Sequence, residues 1–366
     1  MTRSRMRVLI DATGVSEYHG GMKTYLLGLL HGWRDYDDEL TLAGMSYLPS
    51  EVEGYLRSGS VRRLESDTTL RRLRFQQLEL PGVVQASKAD VVLSSDPSMS
   101  LRARVPTVVT VHDLRYLSRP AEFSFGRRWY RRLAWGQGMR RAAAIIAVSN
   151  STRDEIVRAV PSAAGRVQVV HHGGDHVRKW RQEPNPAPYA IAFAHWTNKR
   201  PEMSLHVWQE LRRMLPGLET RLKVIGVPAE ERDHLSGLVS ELGLDGLVEL
   251  MPHLPNEEYE GIFSSAALVL MPSTLEGFGL PVLEALALGI PIVASGGAGM
   301  EEAGGACALY AQTGMVEEFA QLCATALFDG DFVAGFQAQA AAHAEKFTWS
   351  ETARRTREVL WHAIAH

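Results

Sequence analysis

The chain has 366 residues, of which 45% are hydrophobic and 22% are charged, and its formal net charge is −3. This length is large for one hydrophobic core and suits two domains of ordinary size. The charge balance argues against a nucleic-acid-binding protein, because such domains usually carry a strong basic excess.

The cysteines and the N-terminal segment predict the compartment. Cys307 and Cys323 fall in no CxxC or Cys/His spacing, so neither a disulfide framework nor a structural zinc site is expected. The apolar run in MTRSRMRVLIDATG is too short for a signal peptide or a membrane span, and no later run reaches about 18 apolar residues. We therefore expect a soluble protein in a reducing cytoplasm.

Short β-branched runs alternate with longer amphipathic segments in the first half of the chain. Helices are predicted over about 22–33 and about 151–160, the second beginning at a STRD sequence that resembles a capping box. Continuous apolar runs of this length are typical of strands buried on both faces, so they predict a parallel sheet. The runs are RVLID (7–11), ADVVLSS (89–95), PTVVTVHD (106–113), AAIIAVS (143–149) and RVQVVHHG (166–173).

A polar, proline-bearing stretch, HVRKWRQEPNPAPY (176–189), is the predicted linker, and the same pattern restarts after it. The sequence therefore predicts an α/β protein with two Rossmann-like domains, 1–175 and 190–349. Because parallel sheets bind ligands outside the carboxyl ends of their strands, we expect the ligand in a cleft between two facing sheets. The second set of runs is AIAFAHW (190–196), RLKVIGV (221–227), LVELMP (247–252), AALVLMPS (266–273) and PIVAS (291–295).

The stretch STLEGFGLPVLEALALGIP (273–291) joins the fourth of these runs to a helix predicted over 280–289, with Pro281 in its first turn. A helix N-terminus offers free N–H groups and partial positive charge, which favours an anion. Yet two carboxylates, Glu276 and Glu284, bracket the N-terminus of this helix. A ligand that is anionic in the middle and rich in hydroxyls at both ends reconciles these features, and a nucleotide-sugar is such a ligand.

Glu276 and Glu284, with seven residues between them in EGFGLPVLE, resemble the E-x7-E motif of the retaining GT-B glycosyltransferases of family 4 (glycosyltransferase group 1). Further segments are similar to pieces of this family in the same order, so the resemblance spans nearly the whole chain. It implies a GT-B fold, with two Rossmann-like domains whose parallel sheets face a central cleft, and a final helix (350–366) that packs back on the first domain. The similar segments are GGMKTYLLGLL (20–30), VPTVVTVHDL (105–114), AAAIIAVSNSTRDEI (142–156), VVHHGGD (169–175) and FTWSETARRTREVL (347–360).

The resemblance implies roles for the residues of this motif. Glu276 would contact hydroxyls of the donor sugar, and Glu284 would hold the ribose. Backbone amides around Phe278, Gly279 and Leu280 would meet the sugar or the diphosphate. The segment HWTNKRPE follows the first strand of the second domain and supplies a basic pair.

Within that segment, Lys199 and Arg200 would clamp the diphosphate. His195 is a departure, because many relatives carry an arginine or a small polar residue at this position. The clamp is therefore expected to be weaker, or to depend on Lys199.

Two further contacts are implied in the first domain. His112 lies at a predicted strand end beside Asp113, where it would position the donor sugar, or where it is a buried histidine satisfied by its neighbours. Gly20 and Gly21 would let the backbone approach a phosphate or an acceptor closely, or they form no more than a turn.

The implied reaction is glycosyl transfer with retention of the anomeric configuration. Most retaining hydrolases use two carboxylates about 5 to 5.5 Å apart, and the sequence identifies no such pair. The resemblance implies a front-face route instead, in which the leaving diphosphate helps to deprotonate the acceptor hydroxyl. Lys199, Arg200 and the helix start at 279–281 would stabilise the developing charge. No DxD-like motif is suitably placed, so we expect neither a metal nor another cofactor.

Two other functions stay open at this point. A degenerate GT-B protein would bind a nucleotide or a partner without catalysis; the glutamate pair argues against it and His195 weakly for it. A nucleotide-sugar epimerase on the same fold would need no acceptor. The sequence does not decide between GDP- and UDP-sugars, and it identifies neither the acceptor nor the oligomeric state.

The segment FGRRWYRRLAWGQGMRR (125–141) interleaves six arginines with Phe125, Trp129 and Leu133 at helical spacing. A basic amphipathic helix of this kind can lie on an anionic membrane, which would bring the protein to the inner face of the membrane and suggest a lipid-linked acceptor. Alternatively, the helix packs its aromatic stripe against the first domain and leaves its basic face in water, which is the arrangement we expect.

Overall fold

A computed structural model describes residues 5–15, 20–45, 52, 56, 61–63, 68–182 and 187–365. The chain divides into two compact units. The first consists of Met1–Gly173 with Phe347–His366, and the second is Gly174–Lys346.

The first unit contains a parallel sheet, which has seven strands among the described residues. These strands are β1 (Arg7–Asp11), β2 (Glu39–Met45), β3 (Val61–Arg63), β4 (Val91–Ser94), β5 (Thr107–Val111), β6 (Ala144–Ala147) and β7 (Val167–Val169). Their spatial order is β3-β2-β1-β4-β5-β6-β7, and all their pairings are parallel. The direction of strand addition reverses between β1 and β4, which is therefore the topological switch point of this sheet.

The second unit contains a parallel sheet with six strands in the described part of the chain. These strands are β8 (Tyr189–Phe193), β9 (Arg221–Ile225), β10 (Val248–Leu250), β11 (Leu268–Met271), β12 (Ile292–Ser295) and β13 (Leu309–Ala311). Their order, β10-β9-β8-β11-β12-β13, reverses between β8 and β11. The core on one face of this sheet includes the fully buried Trp208 and Phe319.

Helices connect most of the successive strands in both units. In the described residues they are α1 (Gly20–Gly32), α2 (Thr69–Arg74), α3 (Leu80–Ala86), α4 (Arg115–Ser118), α5 (Phe125–Arg141), α6 (Asn150–Ala159), α7 (Pro201–Met214), α8 (Arg232–Glu241), α9 (Asn256–Ser264), α10 (Leu280–Ala287), α11 (Ala298–Gly304), α12 (Val316–Phe328), α13 (Gly330–Ala344) and α14 (Trp349–Ala365). None of these described helices is long and apolar enough to cross a membrane.

The predicted α/β class is confirmed, and each of the ten predicted strands is present. The prediction missed β2, β3 and β13. Gly44 interrupts β2 with a φ of +91°, and the pairing register with β3 shifts at this position. β3 has the sequence VRR, which contains two arginines and therefore no apolar run, and β13 (LYA) is a three-residue strand at a sheet edge.

The predicted helix starts were close but not all correct. The predicted capping box at Ser151 was wrong by two residues, because α6 begins at Asn150 and its N-cap is Ser149. The Ser149 hydroxyl accepts a hydrogen bond from the backbone N–H of Thr152, 3.0 Å away. This bond satisfies one of the otherwise unpaired donors of the first turn.

The final helix, α14, packs against α1 within the first unit. A Cβ atom built on Gly28 would lie 2.1 Å from Cε2 of Trp349, so only glycine permits this close approach. An ion pair adds to the contact, since Arg357 Nε lies 2.5 Å from an oxygen of the buried Asp38. Tight packing and charge together hold the chain end on the first unit.

The predicted linker, 176–189, is not a free connector where it is described. The second unit begins at Gly174 rather than at residue 190. Trp180 packs inside it, with its ring centroid 5.6 Å from that of Phe263. Residues 183–186 lie outside the described residues.

Candidate functional site

The candidate site lies at the carboxyl ends of β8 and β11, where the strand order of the second sheet reverses. β8 leads into residues 194–200, and β11 leads into residues 272–279. In open α/β sheets the crevice at such a switch point is the usual ligand site. The basic pair and the first glutamate of the E-x7-E motif therefore stand on neighbouring loops.

Lys199 and Glu276 form an ion pair between these two loops. Lys199 Nζ lies 2.9 Å from Glu276 Oε1, and the side-chain amide of Asn198 donates to the same oxygen, also at 2.9 Å. The side chain of Lys199 is only 7% exposed and that of Glu276 16%. A lysine this deeply buried needs a negative partner, because an isolated buried charge is costly. The structure thus brings together two residues that the sequence assigned to the diphosphate and to the sugar.

Arg200 has an uncommon backbone conformation, with φ +52° and ψ +62°. It is the N-cap of α7, and its left-handed conformation lets the chain turn directly from the β8 loop into Pro201. This conformation costs a non-glycine residue roughly 1–2 kcal/mol, and such strain is found preferentially at functional sites. The predicted role of Arg200 in the clamp stays a prediction.

The start of α10 requires glycine for two reasons. Gly279 is the N-cap and has a φ of +91°, and a Cβ at this position would lie 3.1 Å from Cγ of Met300. The cap has no side-chain hydrogen bond. The Phe278 side chain is buried, and Leu280 is the first helical residue. A helix start without a side-chain cap suits an anion, as the sequence predicted for this turn.

A second glycine, missed by sequence reasoning, holds this loop. A Cβ on Gly299 would lie 2.1 Å from the carbonyl oxygen of Gly277, so the start of α11 packs directly on the loop before Gly279. The signal was present in the glycine cluster SGGAG (295–299), but nothing in the sequence indicated its partner.

Buried hydroxyl groups lie at the ends of the strands around this site. Oγ of Ser273, Oγ1 of Thr274 and Oγ of Ser295 have no hydrogen-bond partner among the described residues. Ser273 and Thr274 follow β11, and Ser295 ends the adjacent strand, β12. Because an unpaired buried hydroxyl costs free energy, these groups suit a polar ligand.

Glu284, on α10, is only 5% exposed and has a protein partner that the sequence did not suggest. His176 Nε2 lies 3.1 Å from Glu284 Oε1. The ring of Trp180 stands edge-on to His176, with centroids 5.7 Å apart. Burial, and then the charge of Glu284, raise the pKa of Tyr259 well above its usual value. His176 thus holds the Glu284 carboxylate in place, close to the rings of Trp180 and Tyr259. The ribose role of Glu284 stays a prediction.

His195 follows β8 and is exposed. Its Cβ atom packs against Gly226, where an added Cβ would lie 3.0 Å away and where φ is +81°. The positive φ favours glycine at residue 226, and the close approach of His195 adds to this preference. The weaker diphosphate clamp expected from His195 stays a prediction.

His112 lies in the first unit, just beyond β5. Its Nε2 is 3.0 Å from the carbonyl oxygen of Ser95, which can only accept, so Nε2 carries the proton. The rings of Tyr25 and His172 lie 4.9 and 5.5 Å away, centroid to centroid. Burial lowers the pKa of His112 to about 4, and burial also lowers the pKa of His172. His112 is therefore neutral near pH 7, and its contact with the donor sugar stays a prediction.

Gly20 and Gly21 are the first residues of α1 and are exposed. A Cβ built on either would meet no atom within 4 Å in the described residues. Packing within that part of the chain therefore does not explain the glycines. The predicted approach to a phosphate or an acceptor stays a prediction, and residues 16–19, which precede them, lie outside the described residues.

A buried carboxylate network at the switch point of the first sheet was also missed. Asp11 ends β1 and accepts hydrogen bonds from Thr13 and Gln76. Burial raises the pKa of Asp11 to about 6, and it also raises that of Asp96, which follows β4. Asp96 in turn accepts from the backbone N–H of Ser98, at 2.7 Å. Because neighbouring donors satisfy both carboxylates, the network serves first to hold the loops after β1 and β4.

Comparison with solved structures supports this architecture. HepE from Anabaena, solved in complex with UDP-glucose, aligns with a TM-score of 0.76 and 19% identity, covering 98% of this chain and 100% of that one. WaaG, a glycosyltransferase involved in lipopolysaccharide biosynthesis, aligns with a TM-score of 0.73 and 16% identity, covering 96% and 99%. These neighbours are GT-B glycosyltransferases, and the chain has the GT-B fold.

Comparison of sequences identifies the family. D-inositol 3-phosphate glycosyltransferase from Nocardia farcinica is 28% identical over 302 residues, 77% of this chain and 67% of that protein. O-antigen chain mannosyltransferase B from Escherichia coli is 25% identical over 261 residues, 68% of each. Family models for Glycosyltransferase Family 4 and for Glycosyl transferases group 1 match residues 19–178 and 188–329. The chain belongs to the family 4, group 1 glycosyltransferases.

Proposed function

We propose that this glycosyltransferase moves a hexose from a GDP- or UDP-sugar to an acceptor hydroxyl with retention of anomeric configuration and without a metal. The observation that carries the proposal is the buried Lys199–Glu276 ion pair at the switch point of the second sheet. It puts a cation for a diphosphate and an acceptor for sugar hydroxyls within 2.9 Å of each other. A nucleotide-sugar needs both groups at its diphosphate–sugar junction.

In this proposal the second unit binds the donor. The diphosphate meets Lys199, Arg200 and the start of α10 at Gly279, while Glu276 accepts hydrogen bonds from the sugar. Glu284, held by His176, accepts from the ribose hydroxyls. Because a carboxylate accepts more strongly than a neutral oxygen, both glutamates discriminate in favour of hydroxyl-rich ligands.

The reaction step is transfer at the front face of the sugar. As the bond between the anomeric carbon and the diphosphate oxygen breaks, that oxygen takes the proton of the attacking acceptor hydroxyl. The positive charge of Lys199 and Arg200 and the amides of the α10 start stabilise the leaving diphosphate. Neutral His112 positions the donor sugar. The names of the relatives include a mannosyltransferase, which supports a hexose as the transferred group, and a structure solved with UDP-glucose, which supports the UDP-sugar class of donor.

A nucleotide panel tests the donor side of the proposal. Thermal unfolding is measured with UDP, GDP and ADP and with UDP-glucose and GDP-mannose, since a ligand that binds the native state raises the unfolding midpoint. We expect one nucleoside diphosphate to raise the unfolding midpoint more than the others do. The nucleotide-sugar with the same base should raise it at least as much. No shift with any of them would contradict the proposal.

Product analysis separates transfer from the alternative functions. NMR of the product formed from an α-linked donor should show an α-linkage, with full activity in the presence of EDTA. Conversion of the nucleotide-sugar without an acceptor would indicate an epimerase instead. Tight nucleotide binding without turnover, over a broad panel of acceptors, would favour a degenerate binding protein.

A further inference from the structure

Helix α5 carries apolar side chains on two opposite faces. Its inner face is formed by Arg131, Trp135 and Met139, at positions i, i+4 and i+8. The Arg131 guanidinium lies 4.4 Å from the Trp135 ring centroid, and Met139 is fully buried. A Cβ on Gly138 would lie 1.9 Å from the carbonyl oxygen of Pro97, so the helix sits directly on the loop after β4.

The outer face is formed by Phe125, Trp129 and Leu133, which have the same spacing. It is offset from the inner face by two residues, or about 200° around the helix axis. The three side chains are 82%, 61% and 51% exposed. The expectation that this aromatic stripe packs on the first domain is therefore wrong, because another set of residues occupies the packing face.

Arginines accompany the exposed stripe. Arg128 and Arg132 lie along one side of the stripe on the helical projection. Arg140, eight residues after Arg132, continues the line of these two arginines. Arg132 and Arg140 are exposed and Arg128 is partly exposed. The helix contains six arginines and no acidic residue, although the whole chain has a net charge of −3. Large apolar side chains bordered by arginine are the composition of helices that lie in a membrane interface.

We propose that the outer face of α5, defined by Phe125, Trp129 and Leu133, docks on an anionic lipid surface. The apolar side chains enter the headgroup boundary, with the Trp129 ring at headgroup depth, and Arg128, Arg132 and Arg140 pair with anionic headgroups. A second copy of this chain is a poorer occupant, because a two-fold contact through α5 would set one arginine cluster against another.

Vesicle sedimentation with the full chain tests this surface. Wild-type protein should sediment with phosphatidylglycerol–phosphatidylcholine vesicles at low salt, and much less with phosphatidylcholine alone. The F125S/W129S/L133S variant should lose at least about tenfold in affinity. The R128Q/R132Q/R140Q variant should lose about fivefold in vesicle affinity per arginine replaced. Added salt should likewise weaken the binding of wild type, because it screens the same charges.

Matched controls keep the test specific. The M315S/F328S variant removes two exposed apolar side chains, 46% and 56% exposed, from the second unit and should bind vesicles like wild type. Unchanged thermal midpoints show that the variants fold. Quenching by brominated lipid should report Trp129, so it should fall in W129F.

Four outcomes would overturn the proposal. They are no binding of wild type to anionic vesicles, full binding by the apolar variant, equal loss in the control, and a self-association of wild type that the F125S/W129S/L133S variant abolishes. The last would assign the face to an interface between copies, and sedimentation velocity measures it.

Discussion

At the scale of single residues, the Lys199–Glu276 ion pair determines what removal of the first glutamate should do. Glu276→Ala leaves Lys199 buried without its carboxylate, a costly state that an incoming diphosphate relieves. We therefore expect the affinity for the free nucleoside diphosphate to be unchanged or higher. Transfer should fall sharply, and in kcat as well as KM, because the contact to the sugar strengthens as charge develops. Calorimetry with the diphosphate and initial rates with the donor measure the two effects.

Glu284→Ala should behave differently, because the ribose contact is made by the free diphosphate as well as by the donor. Loss of a charge-assisted acceptor, worth about 1.5 to 3 kcal/mol, should weaken both ligands by about ten- to a hundredfold. The same calorimetric titration measures it. Equal loss of diphosphate affinity in both glutamate variants would refute the division between sugar and ribose. Full transfer activity in Glu276→Ala would refute the proposed function.

His176 is a positioning residue in this scheme, since it acts through the Glu284 carboxylate 3.1 Å away. His176→Ala should weaken diphosphate binding, but less than Glu284→Ala does, because the carboxylate remains. In the Glu284→Ala background the same change should have almost no effect, which a double-mutant cycle detects as a coupling energy. Additive losses would show that His176 acts independently of Glu284.

The residues that sequence reasoning found and missed differ in how their contacts are encoded. Glu276, Glu284 and Lys199 belong to local patterns that can be seen in one segment. His176 meets Glu284 across 108 positions of the chain, and Asn198 meets Glu276 across 78. Such contacts depend on the strand order of the sheet, which a single sequence does not specify.

At the scale of elements, the contact between α1 and α14 depends on Gly28, which can be tested by substitution. Gly28→Ala places a methyl group about where the Trp349 ring now lies, at 2.1 Å. Such overpacking should destabilise the first unit by about 1–3 kcal/mol, measured as a lower thermal midpoint. Gly82→Ala, on α3, is the matched control, because a Cβ there meets no described atom within 4 Å. Its midpoint should stay the same or rise, since alanine favours helix.

Helix α5 shows how far periodicity predicts an element. Its spacing predicted a helix over 125–141, and the helix is Phe125–Arg141. The same spacing occurs twice, in Phe125/Trp129/Leu133 and in Arg131/Trp135/Met139, so the pattern alone favoured the more hydrophobic set for the packing face. The arginine in the second set is accommodated by stacking on aromatic rings, and that contact exists only in the folded unit.

At the scale of the whole molecule, buried and partly buried ionisable groups of the first unit should make the free energy of unfolding respond to acid in two opposing ways. His112 has its pKa lowered from 6.5 to about 4, so the unfolded chain takes up a proton first and stability falls as the pH drops through this window. His172 acts in the same direction. Asp11 has its pKa raised from 3.8 to about 6, so the folded chain takes up a proton first and stability rises as the pH drops from about 6 to 4.

Two substitutions should separate these responses in thermal unfolding between pH 7.5 and pH 4.5. His112→Gln removes a group that disfavours folding in acid, so this variant should lose less stability on acidification than wild type, by on the order of 2 kcal/mol. Asp11→Asn removes a carboxyl group whose ionisation lowers the stability of the folded chain at neutral pH and whose protonation restores it in acid. This variant should therefore lose more stability on acidification than wild type does. Changes of slope in the same direction for both variants would contradict the assignment of a neutral histidine and an ionised, buried aspartate near pH 7. If instead both slopes equal that of wild type, neither group titrates across the window, and the pH dependence must arise elsewhere in the chain.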